Sequence, residues 1–354
     1  PNNKANVVAA NSQTFADRWP FDTIVYNQVG PNGMNDYKYE NGVRGKWRQQ
    51  ANFVYRDTIV GANASNQRNY KNAGVFEMKL FNWKNTALND TSRWIKINAI
   101  TQYAPDGNAM EERDIMSIYS AAKFGYDKTQ PYLVAKNAEY QSVQFESFEK
   151  SYKGQTQFED GWAVPNISTK LVNGIAHAGN SSWKFSNSDS IQLKSIKITQ
   201  QMLTNGLSLK VWVRDTSVVD GTSVKGKLKK TGTSVNYTMT KIARTGEWIL
   251  YEMKATNLSA FSVNNIVTPV IINNYSTKPV WIDDVRLQPL DAQVISYVYD
   301  INTLRLIASF DDQHFGLFYQ YNGEGKLVRK IIETEKGVKT ITETQYHTVQ
   351  KPKN

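Results

Sequence analysis

A strict two-residue alternation constrains this chain most. It is clearest in GLSLKVWVR, where Leu207, Leu209, Val211 and Val213 point one way and Ser208, Lys210, Trp212 and Arg214 the other. Side chains alternate between faces along a strand, so this run must be a β-strand with one apolar face. Eight runs of this general kind lie within residues 145–289, among them QFESFE, SIQLKSI, EWILYEMKAT and VTPVIINNY. Short strands packed this densely predict two sheets face to face, a sandwich or jelly roll.

The flanks read as β-rich too. Before residue 108, runs such as DTIVYNQV, WRQQANFVYRDTIV, GVFEMKLFNW and WIKINAITQY alternate with Gly, Asn and Pro, including a GPNG turn at 30–33. Residues 108–122 break the pattern. Asn108 can cap, Glu111 follows three residues on, and Met110, Ile115, Ile118 and Ala122 follow helical spacing, so a connector helix is expected there. A second is expected at 132–140, after Pro131. Beyond residue 289, Tyr299-Asp300 is followed by Leu304, Leu306 and Phe310, and Tyr321-Asn322 by Leu327, Val328 and Ile331. Such strand–turn–strand units cannot bury their own faces and need neighbours. The expected fold is mainly β, with a β-rich unit at 1–144, a jelly roll at 145–289 and β-hairpin repeats at 290–354.

Composition excludes several chemistries. The chain has no cysteine, which removes disulfides, thiolate catalysis and cysteine-type zinc sites. Net charge is +10, but the basic residues are scattered and their densest run, 225–230, is short. Without aromatic residues interleaved along a basic stripe, this charge speaks for solubility and against nucleic-acid binding. No stretch is long and apolar enough to span a membrane as a helix. The start at Pro1, without a leader-like segment, reads as a processed chain or a fragment.

Catalytic constellations are missing. Histidine occurs only at 177, 314 and 347, and no HExxH, GxSxG or phosphate loop is present. His314, with Asp311 and Asp312, is expected in a solvated turn. The neighbouring pairs Glu111/Glu112 and Asp283/Asp284 should point to opposite faces of a strand, the wrong arrangement for paired-carboxylate hydrolysis. The chain is therefore read as non-enzymatic. Sugar binding would use exposed rings, with Trp212, Trp183 and Tyr275 the leading candidates and Trp162 and Trp248 behind them. Trp212 stands out because it lies on the polar side of its strand. Trp248 and Trp281 also read as core.

The order FESFE, AHAGNSSWKF, GLSLKVWVR, GEWILYEMKAT, VWIDDVRLQP resembles that of jelly-roll carbohydrate-binding modules and their galactose-binding-like relatives. The resemblance implies a structural Ca²⁺ held by Glu149, by an oxygen of the 177–182 turn at Ser182, and by Asp284 or Asp283; hard oxygen ligands suit that ion. FEDGW at 158–162 offers a competing Phe-Glu. The last segment resembles the Tyr-Asp repeats of the Rhs class. The flanking GKWR, YSAAKFGY, NAEYQSVQFESFE, YVYD, TLRL, FYQY and GKLVRK resemble the C-terminal portion of very large Bacteroidota surface proteins, similar to type IX secretion cargo and gliding-associated proteins. That resemblance implies an extracellular, outer-membrane-associated structural or adhesin-like protein. Its C-terminal region would mediate assembly or export with secretion-system partners, with glycan binding by the jelly roll as the alternative.

Overall fold

The computed structural model describes residues 10–19, 44–55, 80–91, 93–104, 106–149, 162, 167–186, 188–215, 223–275 and 277–346. DTIVYNQV, most of GVFEMKLFNW, the turn at 30–33, Glu159, His347 and the polar tail lie outside the described residues. The chain forms two compact units, Pro1–Ser120 and Ala121–Asn354.

In the first unit, β1 (Asn11–Arg18), β2 (Arg44–Tyr55), β3 (Trp94–Tyr103) and β4 (Ala109–Asp114) are hydrogen-bonded in that order as antiparallel neighbours. Alternate residues of β2, Ala51, Phe53 and Tyr55, enter a small core with Phe81 and Trp94. The Phe81 ring meets both Phe53 and Trp94 edge-on at 5.0 Å.

Both expected connector helices are strands. Residues 108–122 supply β4 and the start of β5 (Tyr119–Gly125), and residues 132–140 fall largely in β6 (Gln130–Lys136). The helical spacing was coincidental, because Ile115 and Ile118 are exposed turn residues. That turn is fixed by Ser117 at φ 64 and by the Ile118 N–H donating to Asp114 Oδ1 at 2.9 Å. In β5, Ala121, Lys123 and Gly125 are buried in alternation, a period of two.

The sandwich strands of the second unit are β7 (Gln144–Glu146), β8 (Leu171–Asn173), β9 (Ser181–Phe185), β10 (Ser190–Gln192), β11 (Ile196–Lys197) and β12 (Leu207–Arg214). They continue with β13 (Val224–Lys230), β14 (Thr233–Tyr237), β15 (Met239–Thr245), β16 (Trp248–Ala255), β17 (Ile266–Asn273) and β18 (Val280–Pro289). One sheet runs β15-β16-β12-β18-β9-β8, with β7 also on β18. The other runs β10-β17-β13-β14, with β11 also on β17. Leu207, Leu209, Val211 and Val213 enter the common core with Leu228, Val267 and Ile271, as their alternation requires. Each such side chain contributes about 1.5–3 kcal/mol on burial.

The remaining strands, β19 (Gln293–Tyr299), β20 (Leu306–Phe310), β21 (Gly316–Tyr321), β22 (Leu327–Thr334) and β23 (Gly337–Glu343), extend the sheet order β5-β6-β19-β20-β21-β22-β23. β6 pairs antiparallel with β19, Lys136 opposite Gln293 and Leu133 opposite Ser296. The sandwich thus leaves the chain and returns between two neighbouring strands of one sheet. Its neck is closed by Asn137, whose side-chain N–H donates to Asp291 Oδ2 at 2.9 Å, and by Gln201, which donates to Asn137 O at 2.7 Å.

The Tyr-Asp repeat has a physical unit. The tyrosine hydroxyl donates to a carbonyl of an earlier segment, Tyr321 to Leu306 O at 2.8 Å and Tyr299 to Pro131 O at 3.1 Å. The following Asp or Asn closes the turn: Asp300 Oδ1 accepts from the Asn302 and Thr303 N–H groups, and Asn322 Oδ1 from those of Glu324 and Lys326. Tyr126, upstream of the sandwich, makes a different contact, its hydroxyl accepting from the Tyr299 N–H at 3.0 Å.

Candidate binding cleft and buried carboxylate cluster

The polar face of β12 is also buried, at Ser208, Lys210 and Trp212, with only Arg214 half-buried at its end. Lys210 Nζ donates to Asp312 O at 2.9 Å, and Trp212 Nε1 to His314 O at 3.1 Å. Fully buried Arg286, on β18, reaches the same loop, donating to Asp311 O at 2.7 Å and Asp312 O at 2.6 Å as well as to Val294 O at 3.2 Å. The DDQHF loop is therefore a turn that keeps Asp311 and Gln313 exposed while its His314 and its carbonyls plug the outer face of the sheet. His314 is fully buried, and its Nε2–H donates to Asp284 O. Burial, then the Arg286 charge, holds its pKa well below the usual histidine range, so the ring is neutral. Burial likewise brings Lys210 down to about 8, with the neighbouring Arg286 charge adding to the shift.

This packing corrects the ring assignments. Trp212 is 0% exposed and stacks on His177, centroids 4.1 Å apart and planes 15° off parallel. Trp183 is buried and stacks on Phe148. Neither presents a ring face to solvent. Tyr275 is half-buried, its hydroxyl donating to Asp215 at 2.8 Å and its ring covered by the Lys278 ammonium at 3.6 Å. Trp162 is core. Trp248 and Trp281, read as core, are only half-buried.

The Asp283/Asp284 pair also departs from expectation. Register along β12 slips between Lys210, opposite Arg286, and Trp212, opposite Asp283, so β18 holds a bulge with Asp284 at φ 46. The bulge brings both carboxylates to one residue. Asp283 Oδ2 accepts from the His177 N–H at 2.7 Å, and Asp284 Oδ2 lies 2.8 Å from His177 Nδ1. The other ring nitrogen lies 3.1 Å from Glu333 Oε1, on β22. Burial raises Asp284 well above the usual carboxylate range, reinforced by the charges of Asp283, Glu149, Glu333 and Glu146. Both ring nitrogens of His177 thus have a carboxyl partner, Nδ1 at Asp284 and Nε2 at Glu333.

The implied calcium ligands sit in this cluster with protein partners of their own. Glu149 Oε1 accepts from the Asn180 and Ser181 N–H groups, both at 2.7 Å, and Ser182 Oγ donates to Ile175 O. Gly179 is required above Glu149, since φ is +77 and a Cβ there would fall 2.3 Å from Glu149 Cδ. Asp284 Oδ1 is buried without a hydrogen-bond partner. The hard oxygens that Ca²⁺ takes are present, but among the described residues no three His, Asp or Glu side chains are placed to hold a metal ion.

Burial pushes Glu149 from 4.5 up to about 7, outweighing its backbone hydrogen bonds. A carboxyl whose pKa is raised in the folded state stabilises the fold below its unfolded value and loses that contribution as pH climbs to the folded value. Melting temperature should therefore fall between pH 4.5 and about 7, and Asp283 is shifted the same way. Replacing Glu149 with Gln should flatten the profile by about 3 kcal/mol. Parallel profiles for wild type and variant would contradict this assignment.

Beside the cluster opens a cleft of about 540 Å³. Its walls come from the 176–180 turn (Ala176, His177, Gly179, Asn180), from Thr245 and Trp248, and from β20 to β23 with Phe318, Tyr319, Gln320, Ile331 and Glu333; Glu149 and Asp300 also line it. Of the aromatic residues proposed from sequence, Trp248 alone reaches it. The cleft escaped sequence reading because its walls come from separate segments scattered between Glu149 and Val338; the one local signal was the Tyr299-Asp300 turn that supplies Asp300.

No protein-family model matches this chain, and no curated protein matches it. Among solved structures, the family 30 carbohydrate-binding module of a cellulosomal cellulase of Clostridium thermocellum is similar at a TM-score of 0.26 and 12% identity, over 42% of this chain and 92% of that one. The TmCBM61 structure in complex with β-1,4-galactotriose is similar at a TM-score of 0.20 and 16% identity, over 44% of this chain and 88% of that one. Likeness this weak says nothing about what this chain binds.

Proposed function

We propose that this chain is a non-enzymatic, glycan-binding part of an extracellular surface protein, with the sugar held in the cleft beside His177. The observation that carries the reading is the cleft's lining: half-buried Trp248 and Phe318 offer apolar ring surface, and Asn180, Gln320 and Asp300 offer groups that can orient hydroxyls. Trp248→Ala should weaken binding to a retained oligosaccharide at least tenfold, about 1.4 kcal/mol, measured by affinity electrophoresis against immobilised glycans. A wild-type chain retained by none of them would end the reading.

An assembly or export role is favoured by one feature. β23 is the last strand of its sheet among the described residues, and it carries exposed Val338 and Ile341. An open edge of this kind accepts an added strand from a partner, here an outer-membrane or secretion-system protein. Ile341→Lys should then lower surface display, and unchanged display would remove the edge from the export reading. A Ca²⁺ at Glu149, Ser182 and Asp284 is tested by melting with and without chelator, since an ion bound only to the folded state raises its stability.

A further inference from the structure

Taking the cleft as a glycan site, we propose that it selects sugars carrying a protonated amine over the same sugars bearing a hydroxyl or an acetamide. The charge of the lining leads there. Asp300 lines it with a half-buried carboxylate, Glu149 and Glu333 lie buried behind it, and among the described residues no lysine or arginine lines it, although the chain as a whole carries +10.

Asp300 is firmly charged. Burial works to raise it, but hydrogen bonds from Thr303 and Asn302 and the charge of Arg305 outweigh that and leave it below the ordinary aspartate range. Glu333 has its side chain wholly buried and engaged inside the protein, one oxygen accepting from the Gly316 N–H at 3.1 Å and the other 3.1 Å from His177 Nε2, so the accessible charge is that of Asp300. Trp248 and Phe318 supply the second half of ammonium recognition. A cation over a ring face gains about 0.5–2 kcal/mol, and more as water is excluded. Tyr319 already behaves this way inside the protein, with the Lys330 ammonium 5.8 Å from its ring centre. A hydroxyl or acetamide could accept or donate hydrogen bonds here, but neither would balance carboxylate charge in a partly dried site.

The test uses three oligomers with one β-1,4-linked glucose-type backbone that differ only at carbon 2: cellohexaose, chitohexaose and the fully deacetylated glucosamine hexamer. Calorimetric titration of the whole chain, at mildly acidic pH and low salt, should give at least tenfold tighter binding to the glucosamine hexamer. That preference should shrink with added salt. Asp300→Asn should bring the amine-to-hydroxyl affinity ratio toward one, and the amide oxygen can still close the turn. Equal affinity for all three hexamers, or preference for hydroxyl or acetamide, overturns the amine selection and leaves the glycan reading standing. Binding to none of these, or to any neutral glycan of the immobilised panel, ends both.

Discussion

Replacing Arg286 with Met is expected to destabilise the second unit by roughly 2–6 kcal/mol, since each buried carbonyl left without its donor costs about 1–3 kcal/mol and Asp312 O keeps another donor, Lys210 Nζ. The side chain is fully buried and serves three such oxygens, on Val294, Asp311 and Asp312. Burial brings its pKa down to about 10, with the nearby carboxylates pulling the other way, so it keeps its charge at neutral pH. Domains of this size are stable by about 5–15 kcal/mol in total, so the variant should unfold at markedly lower urea. Arg286→Lys should fall between, because one ammonium cannot copy a planar fork that reaches separated acceptors. A loss below 1 kcal/mol would show that water replaces the guanidinium. The same contacts explain why removing residues 290–354 could not isolate an export signal: the truncated sandwich would expose Lys210, Trp212 and Arg286 together.

Trp212→Ala should cost about 3–5 kcal/mol, the usual range for a large aromatic residue removed from a packed core. It strips the ring from His177 and leaves the His314 carbonyl without its donor. Trp212→Phe keeps a ring, loses only the N–H, and should cost about 1–3 kcal/mol. The binding readout separates this from a ligand platform. If Trp212→Ala melted like wild type but no longer bound sugar, the packing assignment would be wrong and the ring would have to turn outward.

Much of the fold was legible where a short period was unbroken. The alternation of β12 fixed which residues enter the sandwich core, and Leu207, Leu209, Val211 and Val213 all do. The oddity of Trp212 on the polar side was also a true signal, but its answer lies in the His314 loop about 100 residues later, beyond any local pattern. Residues 108–122 misled because a turn placed Ile115 and Ile118 at helical spacing by chance. Asp283 and Asp284 misled for the opposite reason: the rule of opposite faces assumes a regular strand, and the positive φ of Asp284 suspends it. The cleft depends on bringing Asn180, Trp248, Asp300, Phe318 and Glu333 together, which only the tertiary structure does.

The insertion of the sandwich between β6 and β19 has a mechanical consequence. The two strands are antiparallel, so the sandwich hangs from the Lys136–Gln293 end of their ladder while the flanking chain enters and leaves at the other end. Tension drawn along the chain must peel that ladder open one residue pair at a time before any load reaches the sandwich. Because Phe318, Gln320 and Ile331 of that sheet also wall the cleft, a ligand gripped beside His177 would bridge the loaded sheet and the sandwich.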